Sequence, residues 1–145
     1  MLYEQAKITI KVKRMAYFKN TILPITSAAV WISVSEFLRN EIFLNSYWTE
    51  HYKNLGLVFP SDPLNGAVWG LWSLLFAIAI FFIAKRFSLL QTALLSWFVA
   101  FVLMWVVIWN LNILPQGLLF FAVPLSLLEA FVATWIIKKL VGENV

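Results

Sequence analysis

Four long apolar runs constrain this chain more than any other feature of its sequence. They cover about residues 21–39, 64–84, 87–109 and 117–137, and each is about long enough to cross the roughly 30 Å hydrocarbon core of a bilayer as an α-helix. Of the 145 residues, 62% are hydrophobic and 12% are charged, whereas soluble domains are about half apolar and about a quarter charged. A water-soluble fold could not bury so much apolar surface. The sequence therefore predicts an all-α integral membrane four-helix bundle whose surroundings are the lipid bilayer.

The basic residues predict how this bundle is oriented. With the N-terminus inside, nine of the eleven Lys and Arg residues lie on the cytoplasmic side, and only Arg39 and Lys53 lie outside. An excess of basic residues marks the cytoplasmic side of a membrane protein. We therefore expect an N-in/C-in protein of the cytoplasmic (inner or plasma) membrane, with multiple passes. A cleaved signal peptide is the competing interpretation of the first run, but no short apolar core with a small-residue cleavage site is evident.

The same pattern divides the chain into three segments. Residues 1–19 form a basic cytoplasmic segment near anionic lipid, where alternating apolar and polar residues suggest a short strand or an irregular lead-in. Residues 20–139 form the membrane domain, with one outer loop at 40–63. Residues 140–145 form a cytoplasmic tail.

Several classes of function have no support in the sequence. The pI is near 9.5, but the Lys and Arg residues flank apolar runs instead of forming a solvated patch, so nucleic acid is not an expected partner. The chain has no Cys, which excludes thiolate catalysis and Cys-ligated metals. The single histidine, His51, lacks metal-binding spacing, and phosphate-binding loops and nucleophile elbows are also missing. We predict no catalytic residue, no cofactor and no metal.

Glu129 lies inside the fourth predicted helix, eight residues before its cytoplasmic end. At about 1.5 Å per residue it stands about 12 Å from the inner boundary, close to the bilayer midplane. An unpaired carboxylate is costly there, and intramembrane acids often mark functional sites. Small neighbours on the same helix predict that Glu129 faces the bundle. The candidate ligand or proton site consists of Glu129, Ser126, Ser96 and Trp97, with Ser96 or Trp97 as the expected hydrogen-bond donor. The alternative is a neutral glutamic acid that only ties helices together.

A second group of polar and aromatic residues is predicted at the outer end. Glu36 and Arg39 are three residues apart and can pair on one helix face. Tryptophans on the second and third helices reach a similar depth, and such rings suit a cation, a quaternary amine or an amphipathic ligand. The candidate vestibule comprises Glu36, Arg39, Asn65, Trp69, Trp72, Trp105, Trp109 and Asn110. An ordinary interfacial aromatic belt with a local ion pair is the alternative.

Small residues at helical spacing mark the second helix, at Gly66, Gly70, Ser73 and Ala77. Such stripes predict close helix packing, either within the chain or between copies.

Three functions remain open from the sequence. The first is small-molecule transport or ligand binding by a homo-oligomer, with the Trp-lined vestibule and Glu129 as its working parts. The second is a non-catalytic subunit or assembly factor that binds a partner membrane protein through the small-residue stripe. The third is a lipid-modifying membrane enzyme that uses Glu36, Arg39 and His51 at the outer interface.

Overall fold

The computed structural model describes residues 2–142 and confirms the all-α class, since no strand occurs in that range. Four helices are long and apolar enough to cross a membrane: α1 (Tyr3–Phe43), α3 (Pro63–Ala84), α4 (Leu89–Asn110) and α5 (Leu118–Val141). A shorter helix, α2 (Asn45–Asn54), lies between the first two. The chain is therefore a multi-pass membrane protein built as a helical bundle.

The helix α1 begins earlier and ends later than the sequence indicated. The basic segment at 1–19 was predicted to be a strand or an irregular lead-in, but its described part is helical and continues into the membrane span. At the other end the helix continues to Phe43 instead of ending at Arg39. Two widened turns, Phe18–Ile22 and Leu38–Phe43, interrupt its regular geometry. The first ends two residues before Pro24, whose ring does not fit a regular α-turn.

The predicted outer loop at 40–63 contains α2, which lies across one end of the bundle. That end is called the outer end here, because the basic residues predict that it faces outside. Leu44 is 2% exposed and anchors the junction between α1 and α2. The His51 ring nitrogen Nε2 lies 3.0 Å from the Asn112 carbonyl oxygen, and the Tyr47 and Phe121 ring centroids are 6.0 Å apart. The segment is thus fastened to the turn that joins α4 to α5.

The core combines small and branched residues with several aromatic ones, where α1 contacts α3 and α5 and where α5 contacts α4. Ala28, Ile32, Ala77, Ala130 and Ala133 are each 0% exposed. The four alanines let helix backbones approach closely, which gives the van der Waals contact that holds helices together in lipid.

The predicted small-residue stripe packs within the chain over only half of its length. Ser73 and Ala77 are buried, but Gly66 and Gly70 are exposed. A Cβ added at either glycine would have no atom of a neighbouring element within 4 Å. A contact between copies at these two glycines stays a prediction.

The short connections agree with the antiparallel order of neighbouring helices. Ser88 begins α4 with a capping box, in which its side chain accepts from the Gln91 backbone N–H. Gly117 precedes α5 with a φ of 78°, in the left-handed region that glycine adopts without strain. Of the predicted tail at 140–145, residues 140 and 141 belong to α5, and residues 143–145 lie outside the described residues.

Candidate functional site

Glu129 lies halfway along α5 with a fully buried side chain, and its partner is an arginine. Arg39 Nη1 donates to Glu129 Oε2 at 3.0 Å, and Arg39 Nη2 donates to Glu36 Oε1. The arginine is 6% exposed and Glu36 is 4% exposed. The two predicted sites, one at the midplane and one at the outer end, are therefore joined by one buried ion-pair cluster. Separating them was wrong, because α1 stays helical past Arg39 and directs this side chain inward towards α5.

One face of α1 supplies three direct partners of Glu129. Trp31, Ser35 and Arg39 follow at intervals of four residues and so share that face. Ser35 Oγ donates to Glu129 Oε2 at 2.9 Å, and Trp31 Nε1 donates to the Glu129 carbonyl oxygen at 3.1 Å. Trp31 and Ser35 were missed from the sequence, although their spacing from Arg39 was the signal that could have found them.

The predicted bond from Ser96 or Trp97 to Glu129 is wrong. Trp97 Nε1 instead donates to Ser126 Oγ at 2.9 Å. Ser96 Oγ is buried and has no hydrogen-bond partner among the described residues. Glu129 and Ser126 both lie on α5, but Ser126 bonds to α4 while Glu129 bonds to α1. Residues 96, 97 and 126 therefore form a separate contact between α4 and α5.

The cluster carries an uneven number of charges. It has two carboxylates and one guanidinium, so a fully ionised cluster has one surplus negative charge. Asn40 Nδ2 donates to Glu36 Oε2 at 2.7 Å, whereas Glu129 Oε1 has no partner in the described part of the chain. A surplus charge in a low-dielectric interior costs several kcal/mol. Binding a proton or a cation nearby removes that cost.

Arg39 lies in one widened helical turn and contacts a second one. Arg39 belongs to the turn Leu38–Phe43, where the Leu44 N–H donates to the Arg39 carbonyl oxygen at 2.9 Å, five residues back. Phe101, in the widened turn Phe98–Val102 of α4, has its ring centroid 4.9 Å from Arg39 Cζ. Such turns are rare and are often found at functional sites.

A cavity of about 220 Å³ connects this cluster with the outer end of the bundle. Its lining includes Glu36 and Arg39 at the cluster, and five aromatic side chains from three parts of the chain. We call it the central cavity; its aromatic lining consists of Trp48, Tyr52, Phe59, Trp69 and Trp105.

Five of the eight predicted vestibule residues line the central cavity, namely Glu36, Arg39, Asn65, Trp69 and Trp105. The other three, Trp72, Trp109 and Asn110, do not. The Trp72 ring packs 5.7 Å from that of Phe101. Trp109 is 67% exposed, as expected for an aromatic side chain in the interfacial belt.

The aromatic cover contributed by α2 was not predicted as part of the site. Trp48 Nε1 donates to Asn40 Oδ1 at 3.1 Å, and its ring stacks on Phe59 with centroids 6.3 Å apart. Tyr52 meets the same phenylalanine edge-on at 5.4 Å. Residues 44, 48, 52 and 55 follow helical spacing, which was the available signal for an amphipathic helix.

His51 does not line the central cavity, and its ring contacts the Asn112 carbonyl oxygen instead. The structure does not bring it together with Glu36 and Arg39. Among the described residues, no group of three or more His, Cys, Asp or Glu side chains is placed to hold a metal ion.

Comparison with known proteins does not assign this chain to a family. No protein-family model, curated protein or solved structure matches the chain.

Proposed function

We propose that this protein binds a small organic cation in the central cavity and, as a homo-oligomer, transports it across the cytoplasmic membrane. Both termini then lie inside, and the central cavity opens outward. Four helices from one chain enclose little more than a binding cavity, so a complete pathway requires several copies. The role of the single chain is to bind and to exchange charge.

The surplus carboxylate beside an aromatic cavity is the observation that carries this proposal. Aromatic faces attract cations, most strongly when the cation is desolvated. Glu36 lines the cavity and belongs to the buried cluster, so a cation in the cavity would interact favourably with the surplus negative charge. A proton on the cluster and a cation in the cavity satisfy the same charge requirement, and exchanging one for the other leaves the buried charge constant.

Competition between a proton and the cation predicts the direction in which binding affinity changes with pH. Tetraethylammonium binding to the purified protein in nanodiscs is measured by calorimetry from pH 5 to pH 8. We expect affinity to fall as the pH falls, because protons neutralise the cluster. Glu129→Gln removes the surplus charge while keeping the shape of the side chain. It should weaken binding by about tenfold or more and flatten the pH dependence.

The matched control is Glu50→Gln, which removes an exposed carboxylate of α2 that does not line the cavity. Its binding curve should match that of the parent protein. If Glu129→Gln binds the cation with parental affinity and parental pH dependence, the charge-exchange proposal is wrong.

A second candidate function is a non-catalytic subunit or assembly factor of a larger membrane complex. The exposed glycines Gly66 and Gly70 favour it, since they leave a helix face open for close contact with another helix. Recovery of a membrane protein in fixed stoichiometry, with no cation binding by either species, would select this candidate.

A further inference from the structure

A groove of about 380 Å³ runs between α1 and α3, at the level where the two exposed glycines lie. Ser33 and Phe37 line it from α1, and Gly66, Trp69 and Gly70 line it from α3. The absence of side chains at the glycines creates the space. Gly66 and Gly70 lie three and seven residues after Pro63, which places them about 5–10 Å below the outer end of α3. That depth falls within the outer half of a bilayer core about 30 Å thick.

The groove and the central cavity lie side by side and share part of their lining. Six residues line both spaces, and they come from α1, from the segment before α3 and from α3 itself: Glu36, Asn40, Glu41, Pro60, Asn65 and Trp69. A molecule in the groove can therefore place one end in the central cavity while its other end stays at the side of the bundle.

The charged residues along the groove determine which charge the inserted end of a ligand can carry. The groove lining contains Glu36, Glu41 and Asp62 and no Lys or Arg, and the one basic residue of the central cavity, Arg39, is already paired with two carboxylates. Glu36 is paired with Arg39, but Glu41 and Asp62 have no ion-pair partner among the described residues. Asn45 Nδ2 donates a long hydrogen bond of 3.5 Å to Glu41 Oε2. A cationic group suits this lining, and an anionic one does not.

The volumes of the central cavity and the groove suggest a ligand with a compact head group and an apolar tail. The central cavity, at about 220 Å³, is smaller than the roughly 300–1,000 Å³ of typical small-molecule pockets. It suits an ammonium head group between aromatic rings. Phe37 lines the groove and is 58% exposed, so it offers an apolar surface against which a hydrocarbon chain can pack.

From these observations we infer that the ligand is an amphiphilic amine or quaternary ammonium that enters sideways from the outer leaflet through the groove between α1 and α3. The head group passes Glu41 and occupies the central cavity, and the alkyl chain remains in the groove against Gly66 and Gly70. This inference rests on the proposed function and specifies its substrate class and its route of entry.

Photolabelling tests the route directly. The probe is an alkyltrimethylammonium with a diazirine near the end of its chain, added to the full chain in nanodiscs. Labelled positions are mapped by peptide mass spectrometry. We expect labels within 33–37 and 66–70, and we expect excess unlabelled dodecyltrimethylammonium to suppress them.

Filling the groove provides the variant test. Gly70→Leu places a side chain in the groove, whereas Ala67→Leu adds the same side chain to the exposed face of α3 outside the groove lining. Gly70→Leu should lower dodecyltrimethylammonium affinity by about tenfold while tetramethylammonium affinity changes by less than about twofold. Ala67→Leu should affect neither. Far-ultraviolet circular dichroism of both variants verifies that the helices remain folded.

The outcomes separate this inference from the proposed function. If tetramethylammonium binds but labels fall outside the groove, or if Gly70→Leu binds the long-chain ligand normally, lateral entry is wrong and cation binding stands. If Gly70→Leu instead lowers the oligomer mass in native mass spectrometry and the groove is unlabelled, a second copy occupies the groove. If no ammonium compound binds, both proposals are wrong.

Discussion

Arg39 is the central member of the buried charge cluster, and its replacement should strongly destabilise the bundle. The guanidinium pairs with Glu129 at 3.0 Å and with Glu36, and it lies 4.9 Å from the Phe101 ring. Arg39→Met keeps much of the apolar length of the side chain but leaves two buried carboxylates without a counter-charge. Removing one partner of a buried ion pair costs about 3–5 kcal/mol. We expect a loss of that size in the free energy of unfolding at neutral pH.

A neutral variant separates the effect of charge from that of packing. Arg39→Met combined with Glu36→Gln and Glu129→Gln has no unpaired buried charge, so it should recover at least about 2 kcal/mol of the loss. Unfolding is followed by tryptophan fluorescence during titration of mixed micelles with sodium dodecyl sulfate. Lys7→Met is the control, because Lys7 and Glu4 form an exposed pair at 3.7 Å worth about 0–1 kcal/mol. A single variant as stable as this control, or a triple variant no better than the single one, would refute the reasoning.

Two further predictions concern neutral hydrogen bonds and use the same unfolding assay. Ser96→Ala should leave stability unchanged or slightly raised, because the Ser96 hydroxyl has no partner among the described residues. Ser126→Ala leaves the Trp97 indole N–H without its acceptor and should cost about 1–3 kcal/mol. Equal effects of the two variants on stability would contradict this prediction. Trp31→Phe removes the 3.1 Å bond to the Glu129 carbonyl and should cost about 0.5–1.5 kcal/mol before any loss of packing, and an unchanged unfolding midpoint would count against that bond.

The membrane fold was predictable because it depends on bulk properties of the sequence. Bilayer thickness fixes the length of a spanning helix, and four apolar runs of that length leave little choice of architecture. The ends of α1 were harder to place, because hydropathy reports where a segment meets water and not where its backbone hydrogen bonds end. The helix therefore extends beyond its apolar run in both directions.

Most residues of the candidate site could be named from the sequence, but the contacts between them could not. Glu129 was identified because a carboxylate is rare inside a membrane helix, and Glu36 and Arg39 because their spacing of three residues allows them to pair. Their association depends on the rotation of α1 against α5 and on the reach of the arginine, which spacing along one chain does not encode. The α2 helix was missed because its polar composition resembles that of a loop.

The numbers of acidic and basic residues in the buried cluster indicate that the cluster does more than hold the helices together. One arginine and one glutamate would suffice to tie α1 to α5 by an ion pair, and apolar side chains of similar volume often stabilise a protein at least as well as buried ion pairs do. The second carboxylate therefore adds a cost that helix packing does not require. Glu36 accepts hydrogen bonds from Arg39 and Asn40, whereas Glu129 Oε1 has no partner among the described residues, so hydrogen bonds within the fold satisfy the two carboxylates only in part. A surplus charge that the fold does not neutralise is useful where charge is to be exchanged, and the central cavity brings a place for a cation to the same residues.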